Sequence, residues 1–354
     1  MRLRSALFVA ASTLGLAAAL IVPATAGGAT ARHGHAPTTL RELARENHIK
    51  IGSAVDVTAL ANEADYRTVL NREFNNVTAE NAMKWESIEP QRGVFDWSGA
   101  DAIVANARRH HQTIRGHNLV WHSQLPTWLT DNENNFTTAE LRAILRDHIR
   151  TEVSRYRGKI RAWDVLNEAV NDGGGLRDTI WLRKLGPGYI ADIFRWAHQA
   201  DPHAKLYYND YNLESDQAKF DTMYQTVTGL LKKHVPIDGI GFQGHLDIQF
   251  GFPDFAGHMK QMTDLGLEVA ITEADVRMIL PATDEKLAQQ ASYFSQMMSA
   301  CLDNRRCTEF TTWGYTDRHN WVPGFFTGEG AACLFDENLQ PKPAYNAVLA
   351  LGKR

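Results

Sequence analysis

Two kinds of hydrophobic pattern alternate along the chain. Short β-type runs rich in branched and aromatic residues occupy 49–55, 74–80, 113–119, 161–167, 205–209, 239–243, 268–272 and 309–314. Between them, apolar residues recur at helical spacing. The clearest helix opens at Thr137, where Thr137-x-x-Glu140 has the form of a capping box. Leu141, Ile144, Leu145, Ile149, Val153 and Tyr156 then share one face. Thr39-x-x-Glu42 opens another helix in the same manner. Further helices are predicted near 99–110, 187–200, 216–233, 254–265, 284–302 and 343–351.

Eight strands alternating with helices predict an α/β fold with one closed parallel sheet, a single-domain (β/α)8 TIM barrel. The span from Lys50 to Asp317 is close to the roughly 250 residues typical of that fold. No G-x-G-x-x-G opens a helix after a strand, which argues against dinucleotide binding. Ahead of the barrel, Arg2 and Arg4 precede an apolar run over 6–22 and the small-residue site Ala24-Thr25-Ala26. Residues 1–26 therefore read as a secretory signal peptide and 27–38, with His33 and His35, as a flexible leader. The barrel domain is assigned to 39–354. The expectation is a secreted, extracellular monomer with no membrane association after signal cleavage.

Composition narrows the chemistry. A net charge of −4 without a basic stripe excludes nucleic acid as the expected partner. Nine Trp residues are many for one domain, and their flat rings suit the faces of sugars. Of the three Cys, Cys301 and Cys307 sit between a helical pattern and a β-type run and are expected to form a local disulfide. Cys333 is then a buried free thiol. No CxxC or HExxH pattern is present, so neither a metal nor a cofactor is expected. Two glycosylation sequons start at Asn76 and Asn135, the first inside a predicted strand.

In a (β/α)8 barrel the site collects at the C-terminal ends of the strands. Those ends carry Glu80, Asn81 and Lys84 after the second strand, and His117, Trp121 and His122 after the third. Asn167 and Glu168 follow the fourth, Asn209 and Tyr211 the fifth, and Gln243 and His245 the sixth. Glu273 and Asp275 end the seventh, with Trp313, Asp317 and Trp321 after the eighth. A lone carboxylate at a barrel rim is ordinarily a solvated charge or a salt-bridge partner. Two Glu residues amid amides, imidazoles and indoles are what glycoside hydrolysis requires: one carboxylic acid for the leaving oxygen, one carboxylate to attack C1 or activate water.

The segments ENAMKW, RGHNLVWHSQLPTWL, WDVLNEA, YYNDYN, GFQGH, ITEAD and TTWGYTDRHNW resemble, in order, the motifs of family 10 glycoside hydrolases, the endo-β-1,4-xylanases, here of the secreted bacterial type. The resemblance covers about residues 40–350. It implies a barrel enzyme that cleaves xylan and xylo-oligosaccharides with retention, Glu168 as acid/base and Glu273 as nucleophile. It also implies that Asn167 meets the sugar 2-hydroxyl and that His245, steadied by Asp275, contacts Glu273. Glu80, Asn81, Lys84, His117, Trp121 and Gln243 are implied to bind sugar hydroxyls, with Trp313 and Trp321 as walls. Tyr211 is a further candidate for stacking on the leaving-group side. Ala274 and Gly244 depart from the family pattern, which bears on packing rather than chemistry. The rival readings are an endo-β-1,4-glucanase or mixed xylanase/cellobiosidase, and a non-catalytic carbohydrate-binding protein on the same scaffold.

Overall fold

The computed structural model describes residues 36–354; the expected signal peptide and the leader up to residue 35 lie outside the described residues. In chain order the strands are β1 (Lys50–Val55), β2 (Asn76–Ala79), β3 (Thr113–Val120), β4 (Ala162–Asn167), β5 (Lys205–Asp210), β6 (Gly239–Phe242), β7 (His245–Asp247), β8 (Glu268–Ile279), β9 (Cys307–Thr312) and β10 (Glu329–Gly330). Parallel pairing runs from β1 through β6, then to β8 and β9. It returns to β1 with Lys50 opposite Glu309 and Ser53 opposite Thr312. These eight strands close the barrel that the alternating pattern predicts, and β7 and β10 flank the outer half of β8.

Closure buries each barrel strand on both faces, which is why β4 and β2 read as continuous runs rather than alternating ones. Apolar side chains fill the shell between strands and helices. The barrel interior is different. Arg115 is fully buried there, with Nε 3.0 Å from Asp164 Oδ2 and Nη1 3.4 Å from Glu309 Oε2. Arg161 and Asn76 also donate to Glu309. Charges persist at such depth only when paired, and here they form a column beneath the C-terminal rim. Gly116 makes room for the buried Trp163 beside it. A Cβ at Gly116 would lie 2.2 Å from the indole ring.

The predicted helices are present as Ser98–Arg109, Tyr189–Ala200, Gln217–Lys232, Phe255–Asp264, Asp284–Leu302 and Pro343–Leu349. The capping box at Thr137 is complete. That at Thr39 is only half formed: Thr39 Oγ1 accepts from Glu42 N, but the Glu42 carboxylate turns to Thr38. Two helices between β1 and β2, Val57–Asn62 and Ala64–Glu73, do not appear in the sequence pattern because the break at Glu63 interrupts their period. The largest departure is β8, which runs seven residues beyond its predicted end at 272. Polar residues continue this strand because they find partners: His245 opposite Asp275, and Asp247 opposite Arg277.

Cys301 and Cys307 are disulfide-bonded, and Cys333 is buried and free. Asn76 is wholly buried, so its sequon is closed to glycosylation in the folded chain. Among the described residues no helix is long and apolar enough to cross a membrane.

Candidate active site

An open cleft of about 810 Å³ lies at the C-terminal ends of the strands. It is lined by Glu80, Asn81, Lys84, His117, Trp121, Asn167, Glu168, Gln243, His245, Glu273, Trp313 and Trp321. Every expected sugar-binding or carboxylate position thus faces one space, and Tyr211 does too. Asp275 stands behind His245.

Glu168 follows the last residue of β4 with φ +54°, in the left-handed region that non-glycine residues avoid. Gln124 and Asn212, which also line the cleft, share that conformation. Such strain is held by surrounding bonds and tends to gather at functional positions. Here the Glu168 N–H donates to Asn209 O at 2.9 Å, and its carbonyl accepts from Arg177 Nε at 2.9 Å. The carboxyl group accepts from the Trp121 indole N–H at 2.8 Å on Oε2 and from Gln243 Nε2 at 3.1 Å on Oε1.

Glu273 stands within β8 rather than at a strand end, at the level where β8 and β9 shift register between Ile271 and Ala274. It is buried. Asn209 Nδ2 donates to Oε1 at 2.7 Å and His245 Nε2 lies 3.2 Å from Oε2. Burial by itself would raise this carboxyl group's pKa, but the His117 charge and the His245 hydrogen bond overcome it and hold the pKa below the usual carboxylate range. The His117 Nδ1 is 4.0 Å from Glu273 Oε1 and 3.0 Å from Asp164 Oδ2, so the buried ion column reaches the cleft at this point. His245 Nδ1 lies 2.9 Å from Asp275 Oδ2, which also accepts from Trp321 Nε1 at 2.7 Å. Desolvation would lower the pKa of His245, but the charge and hydrogen bond of Asp275, joined by Glu273, push it up to about 10.

One end of the cleft carries the group Glu80, Asn81, Lys84 and Gln124. Lys84 Nζ donates to Asn81 Oδ1 at 2.9 Å and Gln124 Oε1 at 2.7 Å, and lies 5.0 Å from the Trp121 ring centroid. Burial lowers the Lys84 pKa, against the opposing pull of Glu273, Glu80 and Glu168. Burial first, then the charge of Asp56, pushes Glu80 up to about 7. These groups present a dense set of donors and acceptors to the cleft. Trp313 packs edge-on to His117 with centroids 4.9 Å apart. Trp321 joins Phe325 and Phe326 in an aromatic cluster at the rim.

The sequence assigns no role to several residues of the site. Asn209 bonds Glu273 and also Asn167 Oδ1, at 2.9 Å, tying both strand ends together. Its place in YYNDYN was the only signal. Gln124, Arg177, Arg277, Phe325 and Phe326 also line the cleft. Gln124 and Arg177 come from loops, where no periodicity marks direction, Phe325 and Phe326 from the end of the short helix Val322–Phe325, and Arg277 from the part of β8 beyond its predicted end.

The chain matches the family model described as glycosyl hydrolase family 10 over residues 39–351. It is 45% identical over 300 residues to an endo-1,4-beta-xylanase of Agaricus bisporus, covering 85% of this chain and 87% of that protein. Its identity with endo-1,4-beta-xylanase B of Thermotoga neapolitana is 42% over 328 residues, or 92% and 94% of the two chains. Among solved structures it resembles native xylanase 10B from Thermotoga maritima with a TM-score of 0.85 and 43% identity, over 88% of this chain and 97% of that one. Xylanase 10B from Thermotoga petrophila RKU-1, solved in complex with xylobiose, matches with the same TM-score and identity over 89% and 98%.

Proposed function

The chain belongs to glycosyl hydrolase family 10, and from that premise we propose that Glu168 and Glu273 carry out its chemistry, Glu168 as acid/base and Glu273 as nucleophile. The activity is endo-hydrolysis of β-1,4-xylosidic linkages, on xylan and xylo-oligosaccharides. In the first step a Glu273 carboxylate oxygen bonds to C1 as the bond from C1 to the leaving oxygen breaks. That oxygen takes the proton of the Glu168 carboxylic acid. In the second step the Glu168 carboxylate removes a proton from water, whose oxygen bonds to C1 and releases Glu273. Two displacements retain the anomeric configuration.

The observation that carries this reading is the contrast between the two carboxyl groups across one cleft. Glu273 is buried, is bonded by Asn209 and His245, and has its pKa held low, as an attacking anion needs to be. Glu168 sits on a turn with its carboxyl group in the cleft and only neutral side chains donating to it. Asn167, adjacent to Glu168, supports the expected contact with the 2-hydroxyl. Export to the extracellular medium as a monomer, free of membrane, extends the reading from the N-terminal pattern of 1–26. The secreted bacterial type rests on that same pattern, since fungal and bacterial proteins match the chain alike.

Proton NMR of xylopentaose digestion tests the assignment. The expected result is internal cleavage with the β-anomer appearing first. An initial α-anomer would overturn Glu273 as nucleophile, and cleavage of β-1,4-glucan in preference to xylan would favour the glucanase reading.

A further inference from the structure

Glu168 is followed by a segment that turns back on itself. Gly173, Gly174 and Gly175 have φ of +74°, +95° and +81°, conformations that side chains with a Cβ rarely adopt. They allow Val170 to bridge to Leu176 and Asn171 N to donate to Gly175 O at 2.9 Å. The returning segment brings Arg177 against the backbone of Glu168. Its Nε donates to Glu168 O at 2.9 Å, and its Nη2 donates to Val170 O at 3.2 Å and to the Tyr211 hydroxyl at 2.8 Å. On the other side of Tyr211, the buried Lys219 ammonium lies 3.2 Å from the ring centroid and pairs with Asp210 and Asp172 at 3.0 and 3.1 Å. Gly173 N is held by Asp216 Oδ2 and Gly175 N by Thr222 Oγ1, so the turn is anchored to the helix Gln217–Lys232 and its cap.

The guanidinium therefore joins three things: the carbonyl of a strained backbone, the loop that follows it, and an aromatic wall of the cleft. We propose that Arg177 is a positioning residue that holds Glu168 at the leaving oxygen and couples its placement to Tyr211. Arg177 does not touch the Glu168 carboxyl group; it acts through the backbone. A planar fork of donors can bond Glu168 O and the Tyr211 hydroxyl together, whereas an ammonium on a flexible stem supplies a single point charge. A displacement near 1 Å at a catalytic group is enough to cost about 100-fold. Tyr211 and Asp172 line the cleft, so a sugar seated against Tyr211 would tighten the same linkage.

The inference rests on Glu168 being the acid, and the experiment separates the two claims. Aryl β-xylobiosides with 2,4-dinitrophenol as leaving group need little proton donation, while phenyl xylobioside needs it fully. Kcat/KM is measured on both for wild type, Glu168→Ala, Arg177→Met and Arg177→Lys. Dinitrophenolate released in the first turnover of a 2-fluoro xylobioside counts the competent molecules in each preparation. The expected result is a loss on the phenyl substrate at least tenfold greater than on the dinitrophenyl substrate for both Arg177 variants, with Glu168→Ala larger in the same sense. Equal losses on the two substrates in a folded Arg177 variant would overturn the positioning role. Equal losses in Glu168→Ala would instead overturn the acid assignment, and with it this inference. If Arg177→Met does not fold, the Arg177→Lys ratio decides alone.

Discussion

The Trp121 indole N–H donates to Glu168 Oε2 at 2.8 Å, from the end of β3 to the end of β4. Trp181 in turn donates to the Trp121 carbonyl at 2.9 Å, so the donor is itself fixed. Replacing Trp121 with Phe keeps a ring against Lys84 but removes the bond to the carboxyl group. A hydrogen bond to a charged group contributes about 1.5–3 kcal/mol, which corresponds to roughly a 10- to 100-fold fall in kcat/KM. Kinetics on xylohexaose check this; a change below twofold would mean that Trp121 serves only as a wall.

Glu273→Gln keeps the size of the side chain proposed as nucleophile and removes its carboxylate. The amide can still accept from Asn209, but it sets an NH2 group against His245 or leaves that contact unmade. Activity should fall by at least about 10⁴-fold, with little change in fold. No covalent adduct should form with a 2-fluoro xylobioside, whereas Glu168→Ala should accumulate one. Intact-protein mass spectrometry distinguishes the two variants, and an adduct on Glu273→Gln would displace the nucleophile to another residue.

Gly116→Ala tests the packing beneath the site. The added Cβ would lie 2.2 Å from the Trp163 ring, which is fully buried. Overpacking of this kind costs about 1–3 kcal/mol or more, so Tm should drop by several degrees. Because Gly116 precedes His117 on β3, activity should fall as well. An unchanged melting profile would mean that β3 shifts without cost.

The positions of Glu168, Gln243 and Trp313 are legible because a strand period marks where each run ends and the barrel gathers those ends. Thr137 was legible for a local reason, since a capping box is complete within four residues. Glu273 was legible as a residue but not as a position. Its strand continues through Asp275 and Arg277, whose charges are paid for by partners on β7 and β10 that no local pattern reveals. Asn209 is legible as one of the polar residues after the fifth strand but not by its role, because its partners Asn167 and Glu273 come from strands that no local pattern brings together. Arg177 depends on three glycines reversing the chain, and the direction of such a turn is set by Asp216, Lys219 and Thr222 some forty residues later.

His245 should give the fold a pH dependence of definite sign. Its pKa is pushed up to about 10 in the folded chain, against roughly 6.5 when unfolded. A raised pKa means that the folded state binds the proton more tightly. The stabilisation is therefore fully present below about pH 6.5 and is lost as pH rises towards 10. One proton bounds the slope at about 1.4 kcal/mol per pH unit. Glu273 acts in the opposite window: its lowered pKa contributes stability that is present above the ordinary Glu range and lost on acidification. In His245→Gln, neither Glu273 nor Asp275 retains a cation at this position, so the variant should be less stable than wild type at pH 6. The difference should shrink steadily at pH 8 and again at pH 10, where wild-type His245 is itself losing its proton. Urea unfolding at those three pH values measures it. A stability gap that stays constant from pH 6 to 10 would mean that His245 is neutral in the folded protein and orients Glu273 without charging its surroundings.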